Sequence, residues 1–254
     1  MAPMVTYLAE RGMVSQRLID YYVARAEGGA AMIVVEAAYP RGDGYPGRLN
    51  IHDDSVLPGL RALVSAVRQA GAKIAIEINP SRGRTDEVEA VSPSDVPHPP
   101  TGVRPRPLTL ADIESLNAEF AGGVSRAVDA GFDAVMVHGA SGYLVSEFLS
   151  PCTNLRTDAY GGDLEGRARF AVELVRSARE QAPSDVPVLF RISADERIDG
   201  GFGIDDAVRV GDMLVAAGAD AIDVVSGVAE TVEWVVPGME FPRGCNAEIA
   251  AQIR

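Results

Sequence analysis

The stretch from Val135 to Arg169, VMVHGASGYLVSEFLSPCTNLRTDAYGGDLEGRAR, indicates the fold more directly than any other part of the chain. It begins within an apolar strand predicted over residues 134–137, which delivers His138 at its carboxyl end. A turn of small residues follows, and Tyr143 then begins a short helix that is predicted to be amphipathic. Across such a strand-to-helix turn both side chains can point into one pocket, so we expect a histidine hydrogen-bond donor beside a tyrosine proton source.

The same order of helix, glycine and apolar strand occurs four times along the chain. The segments are GGAAMIVVEA from Gly28, AGAKIAIEIN from Ala70, AGFDAVMVHG from Ala130 and AGADAIDVVSG from Ala217. A fifth strand is predicted at VPVLFRIS, residues 186–193, and a sixth at MAPMV, which opens the chain. Strands that are apolar on both faces are typical of a parallel sheet covered by helices.

Helical periodicity predicts helices between these strands. Their ranges are 16–27 after an N-cap at Ser15, 56–70 after Asp54, 109–130 with a capping box of Thr109 and Asp112, 164–181, 204–217, and a last one from Asn246. Alternating strands and helices favour an α/β fold of the (β/α)8 TIM-barrel type, with about six of the eight βα units present. We expect a single incomplete barrel domain over residues 1–254, truncated at both ends, in which residues 79–108 form a long substrate or lid loop.

The composition argues against several classes of protein. A formal net charge of −13 disfavours nucleic acid or an anionic membrane surface as a partner. No apolar run is long enough to span a membrane, no secretion signal is recognised, and only two cysteines occur, so we expect a cytoplasmic protein. Lys73 is the only lysine and precedes a strand, which disfavours Schiff-base chemistry, and three histidines without zinc-type spacing disfavour a metal site.

Several fragments together resemble one family, the Old Yellow Enzyme group of FMN-dependent NAD(P)H:flavin oxidoreductases. The strongest is HGASGYLVSEFLSPCTNLRTDAYGGDLEGRARF, which is similar to the family signature H-x-x-[HN]-G-Y-L-…-F-L-S-P-…-N-x-R-T-D-x-Y-G-G-S-x-E-N-R. The fragments MAPM, VVEA, GRLNIHDD, FRIS, DVVSG and PGMEFP resemble further segments of the same family. We find no counterpart in the chain for the seventh and eighth βα units of the family.

The resemblance implies a reaction and the residues that carry it. His138 matches the histidine that donates a hydrogen bond to the carbonyl oxygen of the substrate, and Tyr143 matches the tyrosine that protonates the carbon next to that carbonyl. Hydride comes from reduced FMN, which NADH or NADPH regenerates. The implied reaction is reduction of the C=C bond of an α,β-unsaturated carbonyl compound, by an ene reductase or an enzyme similar to 2,4-dienoyl-CoA reductases.

The resemblance also implies a set of cofactor-binding residues. Arg191 matches the arginine beside N1 and O2 of the flavin, where a fixed positive charge stabilises the anionic reduced ring. Pro3, Met4 and Ala37 match backbone positions against the rings and edge of the flavin. His138 belongs to the cofactor-contact set as well as to the catalytic pair.

Three positions depart from the family pattern. Ser141 replaces the second carbonyl donor, which is a histidine or asparagine in the family, and it belongs with His138 and Tyr143 to the expected substrate-binding residues. A branch of the family that acts on dienoyl thioesters varies this donor too, so Ser141 points to an altered substrate class. Val5 replaces the usual cysteine or threonine near flavin N5 and O4, and Glu77 replaces the glutamine that pairs with the pyrimidine edge of the flavin.

The residues also leave alternatives open. The main one is a non-catalytic truncated barrel that no longer holds flavin and acts at most as an interaction domain. A barrel aldolase or metal-dependent hydrolase is disfavoured by the lysine and histidine positions. Taken alone, Arg191 could pair with Asp195 or Glu196 instead of a flavin. The expected partner is a small unsaturated carbonyl compound, and a homo-oligomer is left open.

Overall fold

The computed structural model describes residues 1–42, 47–86 and 89–253. The chain divides into two compact units, and each is composed of three chain segments. The first unit comprises Met1–Pro80, Leu116–Val137 and Ser177–Leu189, and the second comprises Ser81–Ser115, His138–Arg176 and Phe190–Arg254.

Strands and helices alternate over most of the chain, as expected. The strands are β1 Met32–Tyr39, β2 Leu49–Asn50, β3 Lys73–Ile78, β4 Val91–Ser92, β5 Arg106–Pro107, β6 Ala134–Gly139, β7 Val188–Ser193 and β8 Ala221–Val225. The helices are α1 Gln16–Glu27, α2 Leu57–Gln69, α3 Leu110–Ala130, α4 Leu144–Leu149, α5 Leu164–Gln181, α6 Ile204–Ala217, α7 Val232–Val235 and α8 Ala247–Ile253. Short 3-10 turns lie at Asp54–Val56, Gly83–Thr85 and Ala229–Thr231.

Six strands form one sheet in the order β2-β1-β3-β6-β7-β8. The pairs of β1 with β2, β1 with β3, and β3 with β6 are parallel. Five of these strands match predicted ones, but the sixth does not. The expected strand MAPMV is wrong, because residues 1–5 are irregular, and the two-residue strand β2 occupies the edge of the sheet instead.

The helix ends follow the predicted capping chemistry. The Ser15 hydroxyl accepts a hydrogen bond from the Leu18 amide at 3.1 Å, so Ser15 is the N-cap of α1. At the start of α3 the Asp112 amide donates to the Thr109 hydroxyl at 3.1 Å, and the Thr109 amide donates to the Asp112 carboxylate at 2.8 Å. The capping box with aspartate in the third position is therefore confirmed.

The core of the first unit lies on its parallel strands. Val34, Ala75, Ala134 and Met136 pack together in the interior, and the partly buried Leu189 packs against them. Strands that are buried on both faces carry apolar side chains at successive positions, which explains why no polar alternation was seen in the sequence. Among the described residues, no helix is both long and apolar enough to cross a bilayer.

Two local expectations need correction in the second unit. Helix α4 was expected to be amphipathic, but all six of its side chains are buried, including those of Ser146 and Glu147. In the sequence these two polar side chains suggest a solvent-facing side of the helix, although in the structure both are buried. The 79–108 segment, expected as an irregular loop, contains a 3-10 turn and the parallel pair β4–β5; its residues 87–88 lie outside the described part of the chain.

Candidate active site

The end of β6 is shaped by a close approach to β7. A Cβ atom placed on Gly139 would lie 2.3 Å from the Phe190 ring and 2.9 Å from the Arg191 carbonyl oxygen. Only glycine fits such a contact without displacing the neighbouring strand. The chain therefore leaves β6 at Gly139, the residue after His138, immediately beside the strand that carries Arg191.

The turn after β6 has an uncommon backbone conformation. Ser141 has a φ of +61°, in the left-handed region, and Gly142 follows with +75°. A left-handed residue other than glycine costs about 1–2 kcal/mol, so the surrounding structure must hold Ser141 in place. Its amide donates a 2.8 Å hydrogen bond to the Ser193 hydroxyl, which in turn donates one of 2.8 Å to the Gly227 carbonyl.

This turn brings the two expected catalytic side chains together. The ring centroids of His138 and Tyr143 are 5.1 Å apart, with the ring planes at 54°. His138 is only 5% exposed, whereas Tyr143, the N-cap residue of α4, is half-buried. The geometry thus places a buried imidazole next to a half-buried tyrosine, which suits one donor for an oxygen and one for a carbon.

A buried ion pair lies beneath the turn. The Glu147 amide donates to the Tyr143 carbonyl in α4, and the Glu147 carboxylate accepts the amide and Nε of Arg84 at 2.9 and 3.2 Å. The other end of the Arg84 guanidinium donates to the Glu230 carboxylate at 3.0 Å. Burial raises the pKa of Glu147 to about 7, although the positive charge of Arg84 opposes this shift.

A second buried carboxyl group supports the neighbouring segment. One Glu196 oxygen accepts hydrogen bonds from the Ser150 hydroxyl and the Phe202 amide, both at 2.8 Å, and the Glu196 carbonyl accepts the Thr231 hydroxyl. Burial raises the pKa of Glu196 to about 7. Strongly perturbed carboxyl groups often accompany functional sites, but here the hydrogen bonds assign this one a structural role.

Arg191 forms a contact that the sequence did not predict. Its guanidinium pairs with the Asp223 carboxylate, not with Asp195 or Glu196. Asp195 instead pairs with Arg197, at 3.1 Å. Arg191 nevertheless lies on β7, next to the turn that follows His138. The expected contact of its guanidinium with the flavin stays a prediction.

The remaining cofactor-binding candidates lie in the first unit. The Met1 amine donates to the Met32 carbonyl at 2.7 Å, and the Val34 amide donates to the Met1 carbonyl at 3.0 Å. The opening segment with Pro3, Met4 and Val5 is therefore tied to the start of β1. The Met4 side chain is 63% exposed, whereas Ala37 on β1 and Glu77 on β3 are buried, at 6% and 4% exposed.

A buried acid that the sequence analysis did not single out holds this opening segment. One Glu36 oxygen accepts hydrogen bonds from the Thr6 amide and the Thr6 hydroxyl. Burial raises the pKa of Glu36, and these hydrogen bonds from Thr6 oppose the shift. The next residue, Tyr7, has a left-handed φ of +57°, so the segment leaves its anchor through a strained position.

The chemistry of these side chains fits the ring system of FMN. Arg191 carries a positive charge of the kind that stabilises an anionic reduced ring, although its guanidinium also pairs with Asp223. Glu77 can accept a hydrogen bond from the ring N3–H, although a carboxylate offers no donor to the ring carbonyls. The backbone of Pro3–Val5 lies outside the strands, and Met4 presents an apolar side chain to solvent. The candidates occur as two sets, one in each unit.

The supporting residues were missed because their partners are distant in sequence. Ser193 and Ser141 are 52 positions apart, and Arg191 and Asp223 are 32 apart. The only sequence signal was a polar side chain at an otherwise apolar strand or helix position. Glu36 in VVEA and Glu147 in YLVSEFL both carry that signal.

Comparison with known proteins defines the class. The family model for NADH:flavin oxidoreductases and NADH oxidases matches residues 1–243. The NADH oxidase of Thermoanaerobacter brockii is 40% identical over 263 residues, covering 100% of this chain and 40% of that protein. The NADPH dehydrogenase of Geobacillus sp. strain WCH70 is 39% identical over 249 residues, covering 95% of this chain and 72% of that protein.

A solved structure supports the same assignment. The complex of 2-naphthoyl-CoA reductase with 2-naphthoyl-CoA superposes with a TM-score of 0.91 at 28% identity, covering 99% of this chain and 41% of that chain. The class is that of FMN-dependent oxidoreductases with a TIM-barrel fold. The chain belongs to the NADH:flavin oxidoreductase / NADH oxidase family.

The comparisons confirm the expected family, the fold class, and FMN with a nicotinamide reductant as the cofactors of the family. The chain spans about two fifths of the length of the Thermoanaerobacter brockii NADH oxidase, of which it covers 40%.

Proposed function

We propose that this chain carries the catalytic residues of an FMN-dependent NAD(P)H oxidoreductase that reduces the C=C bond of α,β-unsaturated carbonyl compounds. The observation that carries the proposal is the pairing of His138 with Tyr143, whose ring centroids are 5.1 Å apart at the end of β6. A buried donor next to a half-exposed phenol suits a substrate that has an oxygen to polarise and a carbon to protonate.

Each residue then has a defined task. His138 donates a hydrogen bond to the substrate oxygen and so stabilises the negative charge that develops there. Tyr143 delivers a proton to the carbon next to the carbonyl. FMN, when bound, supplies the hydride for the other alkene carbon. In the second unit, Arg191 would contact the ring. In the first unit, the cofactor-binding candidates are the backbone of Pro3, Met4 and Ala37, together with Val5 and Glu77.

The substrate class is the finer part of the proposal. Ser141 offers only a short hydroxyl where the family pattern has a longer donor, and its backbone lies in the left-handed region. The relative with a TM-score of 0.91 is a reductase crystallised with an aryl-CoA thioester. These two observations favour an unsaturated or aromatic acyl thioester over a simple cyclic enone. Ser141→His or Ser141→Asn should therefore improve turnover of 2-cyclohexenone if the serine acts as a weakened donor.

The proposal is tested first by flavin retention and then by Tyr143→Phe. The purified chain is mixed with FMN and gel-filtered, and its visible spectrum is recorded. Tyr143→Phe should abolish most enone-dependent reoxidation while NAD(P)H still reduces the bound flavin, because only the proton donor is lost. The control is Tyr21→Phe, which removes the phenol hydroxyl of a tyrosine on α1 in the first unit. Equal enone rates in Tyr143→Phe and the control would contradict the assignment.

A second candidate function is a flavin-free interaction domain. It is favoured by Glu77, which lacks a donor for the ring carbonyls, and by Ser141 in place of the second carbonyl donor. A colourless protein that retains no FMN after gel filtration would favour it. The cytoplasmic location stays a prediction, and a homo-oligomer and the choice between NADH and NADPH stay open.

A further inference from the structure

The Ser193 hydroxyl joins two segments at the end of β7. It accepts the Ser141 amide at 2.8 Å and donates to the Gly227 carbonyl at 2.8 Å. An amide N–H must donate and a carbonyl must accept, so both bonds have a fixed direction and together use the single proton of the hydroxyl. Ser193 is 2% exposed, so water has little access to take the place of its hydroxyl in these two hydrogen bonds.

The backbone that Ser193 holds has an uncommon conformation, in a turn that the Tyr143 amide closes by donating to the Ala140 carbonyl at 3.2 Å. Ser141 and Gly142 are successive left-handed residues, with φ of +61° and +75°. A Cβ atom on Gly142 would lie 3.0 Å from the Ala229 amide nitrogen, so the turn packs directly against the segment after Gly227. Tyr143 follows at once as the N-cap of α4. A change in the backbone conformation of Ser141 therefore moves the backbone of Tyr143 and, with it, the position of the Tyr143 ring.

We propose that Ser193 is a positioning residue for proton delivery, which acts by clamping the Ser141 turn to the Gly227 segment and so fixing Tyr143 against His138. This inference rests on the proposed function of Tyr143. Ser193 need not touch the substrate, because its effect passes through the backbone of residues 141–143. Its loss should slow the alkene-reducing half-reaction and leave flavin reduction by NAD(P)H unchanged, since that half-reaction uses no proton from Tyr143.

The central experiment compares Ser193→Ala with Ser193→Thr in the FMN-loaded chain. The alanine variant should reduce 2-cyclohexenone about 10- to 100-fold more slowly, because small misplacements of a reacting group have effects of this size. The decrease should appear in kcat rather than in KM. Ser193→Thr keeps the hydroxyl and should restore most of the rate. Ser226→Ala removes another buried hydroxyl, which donates to Asn246 at 2.7 Å, and serves as the matched control.

A second readout needs no flavin. Hydrogen exchange of a peptide covering residues 138–149 should be faster in Ser193→Ala than in the parent chain, and Ser193→Thr should restore protection. If Ser193→Ala does not fold, Ser193→Cys provides the same test, because a thiol is close in size but a weak donor and acceptor. Unchanged exchange of this peptide in the alanine or cysteine variant would overturn the inference.

The double variant separates this inference from the proposed function. If Tyr143→Phe slows enone reduction and Ser193→Ala has no further effect in that background, the two residues act on one step. If Tyr143→Phe slows the reaction but Ser193→Ala alone does not, Ser193 has no positioning role and the proposed function stands. If Tyr143→Phe itself has no effect, the proposed function fails irrespective of Ser193.

Discussion

The opening segment of the first unit and the turn after β6 in the second unit are both strained backbone segments, and different side chains hold them in place. Each contains a left-handed residue that is not glycine, Tyr7 in one and Ser141 in the other. Each is held by a backbone amide that donates to a single buried side-chain oxygen. The acceptor is the Glu36 carboxyl for the Thr6 amide and the Ser193 hydroxyl for the Ser141 amide.

The two anchors differ because the Glu36 carboxyl group can titrate and the Ser193 hydroxyl cannot. Burial raises the pKa of Glu36, so the anchor of the opening segment gains a proton more readily than an exposed glutamate. The Ser193 hydroxyl is neutral throughout the usual pH range. We infer that the opening segment responds to pH through its own anchor, whereas the anchor of the turn does not titrate.

The largest effect should come from breaking the ion pair beneath the turn. Glu147 and Arg84 are 1% and 2% exposed, and Glu147→Ala strands a buried guanidinium with Glu230 as its remaining carboxylate. We expect a loss of about 3–5 kcal/mol in the free energy of unfolding, measured by urea denaturation. Glu165→Ala removes an exposed pair with Arg209 and should cost less than about 1 kcal/mol.

The comparison of Glu147→Ala with Glu165→Ala can also contradict this expectation. Equal losses in Glu147→Ala and Glu165→Ala would mean that the buried pair contributes no more than a surface pair. The Ser193 hydroxyl would then be the main anchor of the turn, and the two regions would be more alike than the contacts indicate.

A smaller effect concerns pH and Glu196. Its pKa in the folded chain is raised to about 7 from an ordinary value of 4.5. A raised carboxyl pKa contributes stability that is fully present below the unfolded value and is lost as pH rises through the folded value. We therefore expect stability to fall between about pH 4.5 and pH 7, by about 3 kcal/mol from this residue.

Glu196→Gln isolates that contribution. Glutamine keeps an oxygen for the Ser150 and Phe202 hydrogen bonds but does not titrate, so the unfolding free energy of the variant should change less with pH. Glu147 titrates in both proteins, and the difference between the two curves reports Glu196 alone. Parallel curves for the parent chain and the variant would show that Glu196 is not the titrating group.

The smallest effect should come from the anchor of the opening segment. Thr6→Val removes the hydroxyl that donates to Glu36 and keeps both the shape of the side chain and the amide donor. We expect a loss of about 1 kcal/mol, which differential scanning calorimetry can detect. Ser55→Ala, which removes an exposed hydroxyl bonded to Asp53, is the control. A loss as large as that of Glu147→Ala would mean that the opening segment is integral to the first unit.

The helices could be predicted because their signals are local. Ser15, Thr109 and Asp112 cap helices within three residues of themselves, and the ranges of α5 and α6 follow from periodicity alone. The strand MAPMV could not be judged in this way, since a strand requires a partner of matching register. The two-residue strand β2 is too short to have any period.

The sequence analysis proposed the candidate site residues but not the groups that support them. The strand end and the turn of small residues located His138 and Tyr143, and the family resemblance supplied their roles. The two rings lie 5.1 Å apart, and their catalytic roles stay predictions. The partners of Arg191 and Ser141 lie on other strands, and residue types alone do not identify which distant group they meet.

Lys73 has a practical consequence for labelling this protein. Its side chain is 72% exposed and pairs with Asp133, which also pairs with Arg68 at 2.9 Å. As the only lysine of the chain, it directs an amine-reactive dye to a single side chain, besides the terminal amine. Because Arg68 still neutralises Asp133, the dye should leave stability nearly unchanged. A fluorophore at Lys73 would therefore report on the first unit and leave the residues of the His138 turn chemically untouched.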